Sequence, residues 1–420
     1  IFRDKPVINI VMTKPPMLTA QQALDHLHSH AKPVHENENV PVQAALGRVL
    51  AENVQSLVDV PPLDNTSMDG YAVRTADTAS SGQVLRVAQR IPAGSVGTQL
   101  EPGTAARIFT GAPIPPGADA VVMQEDCAIP EGSVAQVQVN SVPTVGQWIR
   151  RRGEDLSAGK TALTAGIFLR PQELGVAASA GLTHLNVKRR VKVAAFFTGD
   201  ELALPGEPLK PGGIYNSNRD TLLACIRELG AQATDFGIVP DTLEATRDAL
   251  RRASVDHDLI ITSGGVSVGE EDHIKPAVSA EGELDMWQIA IKPGKPLAFG
   301  SIQRKPLGVT WFMGLPGNPV SSYVTFLLFV RPFIQKLQGR TPAKLNGFLM
   351  RADFDWLKPD RRNEFLRVKL NSSGGLDLFP NQSSGVMTSA AWADGLVDNP
   401  PNQAIQSGDM VRYIPFSSLV

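Results

Sequence analysis

Residues 263–272 combine the residue types of a phosphate-binding loop with three acids, since they read Ser-Gly-Gly-Val-Ser-Val-Gly-Glu-Glu-Asp. They follow an apolar run at 258–262 that predicts a buried strand, and a helical pattern begins near Asp272. Glycines in such a turn let backbone N–H groups approach a phosphate, and the helix N-terminus adds positive charge. The acids would repel a bare phosphate, so we expect a metal ion between acid and phosphate. The local pattern leaves a structural turn capped by Asp272 open as the alternative.

Three further loops follow strand-like runs and carry polar or charged groups among glycines and prolines. They are Phe-Phe-Thr-Gly-Asp-Glu-Leu at 196–202, Ile-Lys-Pro-Gly-Lys-Pro at 291–296 and Gly-Leu-Pro-Gly-Asn-Pro at 314–319. In a doubly wound sheet such loops gather at the carboxyl edge, where ligands bind. Lys292 and Lys295 lie on a proline-stiffened turn, which suits two cations that hold an oxyanion. Each loop alone is compatible with an ordinary turn, but the four together favour a ligand site.

The rest of the chain indicates a multidomain α/β plus β protein. Short β-like runs separated by Gly/Pro turns occupy residues 72–149, and β-like runs return from residue 344. Between 187 and 339 strands and helices alternate, which predicts a three-layer α/β domain with a parallel-type sheet. Asp241 with Glu244 resembles a capping box at the start of one helix. Helices are predicted near 219–230, 242–253, 272–280 and 318–338.

An amphipathic helix is predicted after Thr19, its N-cap. His26 and His30 have the i, i+4 spacing that a metal can use, but no carboxylate-rich or cysteine-containing segment adjoins them. A solvated helix face is therefore the favoured interpretation.

Several motifs resemble the molybdopterin molybdenumtransferase family, which includes the C-terminal domain of gephyrin. Each motif is several residues long, they come in the order typical of the family, and they span about residues 17–420. The motifs are Asp-Asn-Thr-Ser-Met-Asp-Gly-Tyr-Ala-Val at 64–73, Phe-Thr-Gly-Ala-Pro at 109–113, Ile-Arg-Arg-Arg-Gly-Glu-Asp at 149–155, Thr-Gly-Asp-Glu at 198–201, Ser-Gly-Gly-Val-Ser-Val-Gly at 263–269, Lys-Pro-Gly-Lys-Pro at 292–296 and Leu-Pro-Gly-Asn-Pro at 315–319.

The resemblance implies four domains. An elongated linker domain comprises residues 17–58 and 155–186, and an inserted, mainly β domain comprises 59–154. An α/β molybdopterin-binding domain follows at 187–341, and a C-terminal β-barrel domain at 342–420. It also implies a homodimer in which the α/β domain of one subunit faces the linker and inserted domains of the other.

The reaction that the resemblance implies is insertion of molybdenum from molybdate into adenylylated molybdopterin, with release of AMP. The pterin substrate supplies the sulfur ligands, so the presence of only two cysteines is no objection.

Asp272 and Glu201 are implied as Mg²⁺ ligands, and Asp69 and Asp155 as either general base or metal ligand. For the last two, the local sequence also allows a turn or a helix cap. The implied catalytic residues are Asp69, Asp155, Glu201, Asp272, Lys292 and Lys295, and the implied substrate-binding residues are Thr110, Arg152, Asp241, Ser263, Gly264, Gly265, Ser267, Pro316, Pro319 and Ser383.

Two other functions belong to related proteins. A molybdopterin adenylyltransferase acts one step earlier and resembles residues 187–339 alone. Its loop typically reads Gly-Gly-Thr-Gly, whereas residues 264–267 read Gly-Gly-Val-Ser, and the upstream motifs also favour molybdenum insertion. A gephyrin-like scaffold would not need every charged site residue, and this chain keeps them all.

Composition excludes several classes of protein. A net charge of −2 argues against a nucleic-acid partner bound through bulk electrostatics. The longest apolar stretch, 320–334, is too short and too interrupted to span a membrane, so no membrane partner is expected. Two cysteines cannot form a disulfide framework. We expect a cytoplasmic protein, with the upstream adenylyltransferase as a possible partner.

Overall fold

The computed structural model describes residues 17–133, 135–266, 273–304, 308–340 and 345–419. The chain divides into two compact units. The larger unit comprises Ile1–Glu36 and Lys188–Val420, and the smaller unit comprises Asn37–Val187.

The helices of the described residues mostly match the predicted ones. A π-helical segment, Phe326–Val330, joins α6 to α7, so the predicted helix at 318–338 is three consecutive segments. Single 3₁₀ turns lie at Val42–Ala44, Thr75–Asp77, Gln124–Asp126 and Phe416–Ser418. The α-helices are Ala20–His30 (α1), Pro171–Ser179 (α2), Ser217–Glu228 (α3), Leu243–Ser254 (α4), Ile274–Glu281 (α5), Pro319–Thr325 (α6), Arg331–Leu337 (α7) and Met387–Trp392 (α8).

Two local predictions on the helices are wrong. The N-cap of α4 is Thr242, whose side chain accepts a hydrogen bond from the backbone N–H of Ala245, so Asp241 and Glu244 form no capping box. His26 and His30 do not form a solvated face, because their rings contact each other in a tilted arrangement and pack edge-on against aromatic side chains of the sheet. His26 and His30 lie beside the buried residues of α1, Ala23 and Leu27. Burial of those two residues therefore also brings the histidines against the sheet. The predicted N-cap Thr19 is confirmed, within a capping box completed by Gln22.

The smaller unit is rich in β-structure, as predicted. A six-stranded sheet has the order β7-β4-β6-β5-β9-β8, and alternate residues of its strands bury two separate apolar clusters on its two faces. Three two-stranded ladders pair β1 with β12, β2 with β11 and β3 with β10. The strands are Asn37–Pro41 (β1), Val54–Gln55 (β2), Asn65–Thr66 (β3), Gly70–Val73 (β4), Gln83–Ile91 (β5), Thr104–Ile108 (β6), Ala120–Met123 (β7), Cys127–Ala128 (β8), Gln136–Val139 (β9), Ile149–Arg150 (β10), Thr161–Leu163 (β11) and His184–Lys188 (β12).

Where the structure describes the larger unit, it contains two six-stranded sheets and one two-stranded ladder, β14 with β15. The first sheet has the order β16-β13-β17-β21-β20-β18, and the second has β19-β23-β25-β26-β22 with β24 paired to β23. The strands are Lys192–Thr198 (β13), Leu202–Ala203 (β14), Ile214–Tyr215 (β15), Gln232–Val239 (β16), Leu259–Ser263 (β17), Gly282–Gln288 (β18), Ile291–Lys292 (β19), Pro296–Gln303 (β20), Val309–Leu315 (β21), Phe348–Arg351 (β22), Asn363–Leu370 (β23), Leu376–Leu378 (β24), Gly395–Asn399 (β25) and Met410–Pro415 (β26).

The first sheet is the middle layer of the predicted α/β arrangement. Helices α1, α3, α6 and α7 pack on one face and α4 and α5 on the other, and successive residues of β13 alternate between these two cores. Strands β16, β13, β17 and β21 are mutually parallel, whereas β20 runs antiparallel to both of its neighbours, β21 and β18. Strand β18 therefore runs in the same direction as the first four. The prediction of a parallel-type sheet is wrong for β20, because the connection from β18 to β20 is too short for a crossover helix.

Candidate active site

A cleft of about 700 Å³ lies at the edge of the first sheet where β13, β17 and β21 end. The connection from β18 to β20 lies at the same edge, because Pro296 pairs with Gln288 and Ala298 pairs with Gly314. All four loops singled out in the sequence therefore contribute to one cleft, as the general rule for such sheets predicts. The predicted site residues that line it are Glu201, Asp241, Gly264, Gly265, Lys292, Lys295, Pro316 and Ser383.

Four other predicted residues belong to this unit, and the structure describes two of them. Ser263 is only 3 % exposed, and its hydroxyl donates to the carbonyl of Pro316 at 3.0 Å. It therefore connects the ends of β17 and β21, and its contact with a phosphate stays a prediction. Pro319 is the first residue of α6, next to Asn318 in the cleft wall. Ser267 and Asp272 lie outside the described residues.

The glycine loop approaches its neighbours so closely that side chains are excluded. Gly264 and Gly265 have φ of 98° and 64°, which favour glycine. A Cβ on Gly264 would lie 2.6 Å from the carbonyl oxygen of Thr198, and one on Gly265 would lie 2.6 Å from Cγ1 of Ile274. The cleft is therefore lined by bare backbone at these positions, which is what a phosphate-binding loop requires.

Lys292 is held by a buried carboxylate of the second sheet. Strand β19 pairs in parallel with β23, and this register places Lys292 opposite Glu364. The Lys292 Nζ lies 3.1 Å from Oε1 of Glu364, a residue only 1 % exposed. The other oxygen, Oε2, accepts from Trp356 Nε1 at 2.7 Å and from the backbone N–H of Asp360 at 3.1 Å. Glu364 thus fixes the position of Lys292 at the cleft wall.

Arg362 is a third cation in the cleft, and the sequence analysis missed it. Its Nε and Nη2 donate to the two carboxylate oxygens of Asp360 at 3.0 and 2.8 Å. Hydrogen bonding from Arg362 holds the pKa of Asp360 well below its usual range. The pair therefore keeps both charges, and the guanidinium stays oriented. Arg362 follows Arg361, and no local pattern distinguishes these two arginines from any other pair of basic residues in a loop. Other lining residues that were missed are Thr198, Asn318, Gln382 and Ser384.

The cleft also offers oxygen ligands for a hard cation. Glu201 and Asp241 line it, and the nearby Thr198 hydroxyl is buried without a hydrogen-bond partner. Within the described residues no group of three or more His, Cys, Asp or Glu side chains forms a metal cage. Magnesium usually takes only one or two carboxylates and completes its shell with water and substrate phosphates. The donor set therefore fits Mg²⁺ better than a metal that needs a full protein cage.

The smaller unit holds the other four predicted residues. Asp69 Oδ1 accepts from the backbone N–H of Thr110 at 2.7 Å and from its hydroxyl at 2.8 Å, and these bonds lower the pKa of Asp69. Arg152 Nε donates to Asp59 at 2.6 Å. The backbone N–H of Asp155 donates to the carbonyl of Val60 at 2.9 Å. The approach of these residues to the cleft of a partner subunit stays a prediction.

Three family profiles together match most of the chain. Residues 18–181 match "MoeA N-terminal region (domain I and II)", residues 194–336 match "Probable molybdopterin binding domain", and residues 350–416 match "MoeA C-terminal region (domain IV)". The chain is also 42 % identical over 414 residues to a molybdopterin molybdenumtransferase of Haemophilus influenzae, covering 96 % of this chain and 100 % of that one. The chain belongs to the molybdopterin molybdenumtransferase family.

Other members of this family give the same result. The Nostoc protein is 35 % identical over 97 % of this chain and 92 % of its own. Among solved structures, the molybdopterin biosynthesis MoeA protein of Pyrococcus horikoshii matches with a TM-score of 0.74 at 31 % identity, over 96 % of this chain and 99 % of that chain. A second structure of MoeA from P. horikoshii OT3 gives 0.80 at 27 % identity, over 95 % and 99 %. The combination of α/β and β-rich sheets is thus confirmed.

Proposed function

We propose that this chain transfers molybdenum from molybdate to adenylylated molybdopterin and releases AMP. Membership of the family makes it a transferase of molybdenum cofactor biosynthesis, with molybdopterin as the acceptor. The proposal adds that the molybdopterin acceptor carries an adenylyl group and that free molybdate is the source of the molybdenum. The observation that carries both additions is a single cleft with cations on one wall and bare glycine backbone and carboxylates on another.

The cationic wall supports binding of a tetrahedral dianion. Lys292, Lys295 and Arg362 line the cleft with Ser383, so point charges, a planar guanidinium and a hydroxyl are all available. Arginine donates in a fixed fork, whereas lysine acts as a mobile point charge, and the two together suit an oxyanion with several acceptor oxygens. Molybdate has this shape and charge, and the phosphates of the adenylylated substrate are tetrahedral oxyanions that such groups can also bind.

The glycine loop and the carboxylates beside it support binding of the adenylyl phosphate. Gly264 and Gly265 expose backbone, and Glu201 and Asp241 offer oxygen ligands beside it. Magnesium held by Glu201, Asp241 and the predicted ligand Asp272 would neutralise charge on the phosphate and polarise its bond to the leaving group. The lysines and Arg362 would stabilise negative charge that develops as an oxygen nucleophile, water or a molybdate oxygen, bonds to phosphorus and AMP leaves.

The remaining features of the proposal concern assembly. We propose a homodimer in which Asp69, Thr110, Arg152 and Asp155 of one subunit complete the cleft of the other, with the linker domain elongated between them. Cytoplasmic location and a transient complex with the adenylyltransferase belong to the same proposal. In the described residues no helix combines the length and apolar character needed to cross a membrane.

Release of AMP tests the function directly. Purified protein is incubated with adenylylated molybdopterin and Mg²⁺, with and without molybdate, and AMP is quantified. We expect AMP only when molybdate is present, and loss of this activity in Lys295→Ala but not in the exposed-lysine control Lys369→Ala. Formation of adenylylated product from ATP and molybdopterin would instead identify an adenylyltransferase. Absence of both reactions would favour a binding scaffold.

A further inference from the structure

A second cleft in the larger unit shares no lining residue with the first. It has a volume of about 840 Å³, within the usual range for small-molecule sites. Helix α1, the segment from the π-helix into α7, and the second sheet with the chain that leads into it form its walls. Its lining residues are Gln21, Leu24, His28, Leu328, Arg331, Pro332, Lys336, Leu345, Asn346, Gly347, Phe348 and Arg412.

Arg331 is the unusual residue of this cleft. It is only 4 % exposed, although it lines the wall. Its Nη2 donates to the carbonyl of Ser418 at 3.0 Å, but its Nε is buried without a partner. Within the described residues no carboxylate lies at ion-pair distance from it, and burial lowers the pKa of Arg331 to about 10. A buried guanidinium without a counter-charge is costly, and an anion in the cleft removes that cost.

Three other nitrogen-bearing side chains, Lys336, His28 and Arg412, line the same cleft. The Lys336 Nζ donates to the backbone carbonyl of His28 at 2.6 Å, and no carboxylate of the described residues pairs with it. The Nε2 of His28 is also buried without a partner, and the pKa of His28 is lowered by burial and then by Lys336. Arg412 is different, because it pairs with Asp398. Two positive charges, those of Arg331 and Lys336, thus face the cleft without acidic partners.

The remaining walls are largely apolar. Leu24, Leu328, Pro332, Leu345 and Phe348 contribute aliphatic and aromatic surface beside the two cations. We propose that this cleft binds an organic oxyanion, a phosphate or carboxylate on a mainly apolar body, whose charged group is held by Arg331 and Lys336. A bare inorganic ion would fill little of the cavity, so the apolar walls favour an organic body.

Calorimetric titration of the full chain with four probes tests this site: phenyl phosphate, phenylacetate, inorganic phosphate and benzyl alcohol. We expect at least one aryl anion to bind about tenfold more tightly than inorganic phosphate or benzyl alcohol, because only an aryl anion uses both the charge and the apolar wall. The order of phenyl phosphate and phenylacetate identifies the anionic group. Failure of both aryl anions to bind at roughly 10 mM overturns the proposal.

Variants locate the bound anion. Arg331→Met and Lys336→Gln should each weaken aryl-anion binding about tenfold, as expected for a lost charged hydrogen bond. Lys369→Gln, an exposed lysine elsewhere on the second sheet, and Lys295→Ala in the first cleft should leave it unchanged. If Arg331→Met does not fold, Lys336→Gln decides, because this side chain lies at the cleft surface. Weakening by Lys295→Ala but not by Lys336→Gln places the anion in the first cleft and refutes the proposal.

Discussion

The pairing of Lys292 with Glu364 allows the stability and the activity of the site to be separated by a double-mutant cycle. Lys292→Met removes the cation and leaves a buried carboxylate with neutral donors, which are Trp356 Nε1, the backbone N–H of Asp360 and Asn399 Nδ2. Glu364→Gln keeps the shape but replaces one acceptor oxygen by an NH₂ group, which must face either Lys292 or those donors. Each single change therefore leaves an unsatisfied polar contact, and the double variant removes the charged pair as a whole.

The exposure of the two side chains limits how much unfolding free energy the variants can lose. Breaking a fully buried ion pair costs about 3–5 kcal/mol. The side chain of Lys292 is 38 % exposed, while that of Glu364 is 1 % exposed, so water compensates part of the loss on one side. We expect each single variant to lose about 2 kcal/mol of unfolding free energy, and the double variant to lose about the same amount rather than the sum. The interaction energy of the cycle is then about 2 kcal/mol.

Urea denaturation of the four proteins measures this cycle, and release of AMP measures activity in the same samples. Lys292→Met should lower kcat/KM about 100-fold, because it removes about 3 kcal/mol of stabilisation from the oxyanion. The double variant should be no less stable than either single variant, and its activity should stay low. An interaction energy below about 0.5 kcal/mol would show that Glu364 does not hold Lys292. Recovery of activity in the double variant would refute a direct role for Lys292 in the reaction.

Three further predictions concern the glycine loop, the metal and the dimer. Gly265→Ala should weaken AMP binding about tenfold in calorimetry because its Cβ would lie 2.6 Å from a neighbouring side chain, whereas Gly374→Ala, with similar φ and nothing within 4 Å, should not. Glu201→Gln should raise the Mg²⁺ concentration needed for half-maximal AMP release, and activity should return at saturating Mg²⁺; an unchanged Mg²⁺ dependence would remove Glu201 from the metal site. Mixing inactive Asp69→Ala with inactive Asp272→Ala chains should restore about a quarter of normal activity, because random pairing gives half mixed dimers with one intact site each. No recovery after demonstrated subunit exchange would contradict a shared site.

Local patterns in the sequence predicted the loops of the first sheet because their chemistry is local. A glycine pair after a buried strand, or two lysines on a proline turn, can be recognised as a possible anion site from a few consecutive residues. The carboxyl-edge rule then places such loops together whatever the helices between them do. The rule holds here even for 291–296, although β20 is antiparallel, because the hairpin-like connection returns the chain at the same edge. The direction of β20 itself was not predictable from a buried apolar pattern, which parallel and antiparallel strands share.

The second sheet contributes to the cleft in a way that local patterns do not reveal. Glu364 and Arg362 lie about seventy positions after Lys292, in a segment whose alternating pattern predicts only a β-strand. Their role depends on β19, a two-residue strand that pairs with β23. Such a short ladder leaves no periodicity in the sequence.

This short ladder also explains how two sheets form one rigid oxyanion site. A parallel pairing fixes the register of its two strands, so the backbone that places Lys292 opposite Glu364 also sets the height of the Lys-Pro-Gly-Lys-Pro turn above the first sheet. Asp360 joins the two cations, because it pairs with Arg362 and lies 3.5 Å from the Lys292 Nζ. Cations that repel one another are thereby held together by buried and half-buried carboxylates before any anion arrives. Because the cations are already in place, less reorganisation is needed to bind a dianion. The second sheet is therefore a part of the site, since its carboxylates hold these cations.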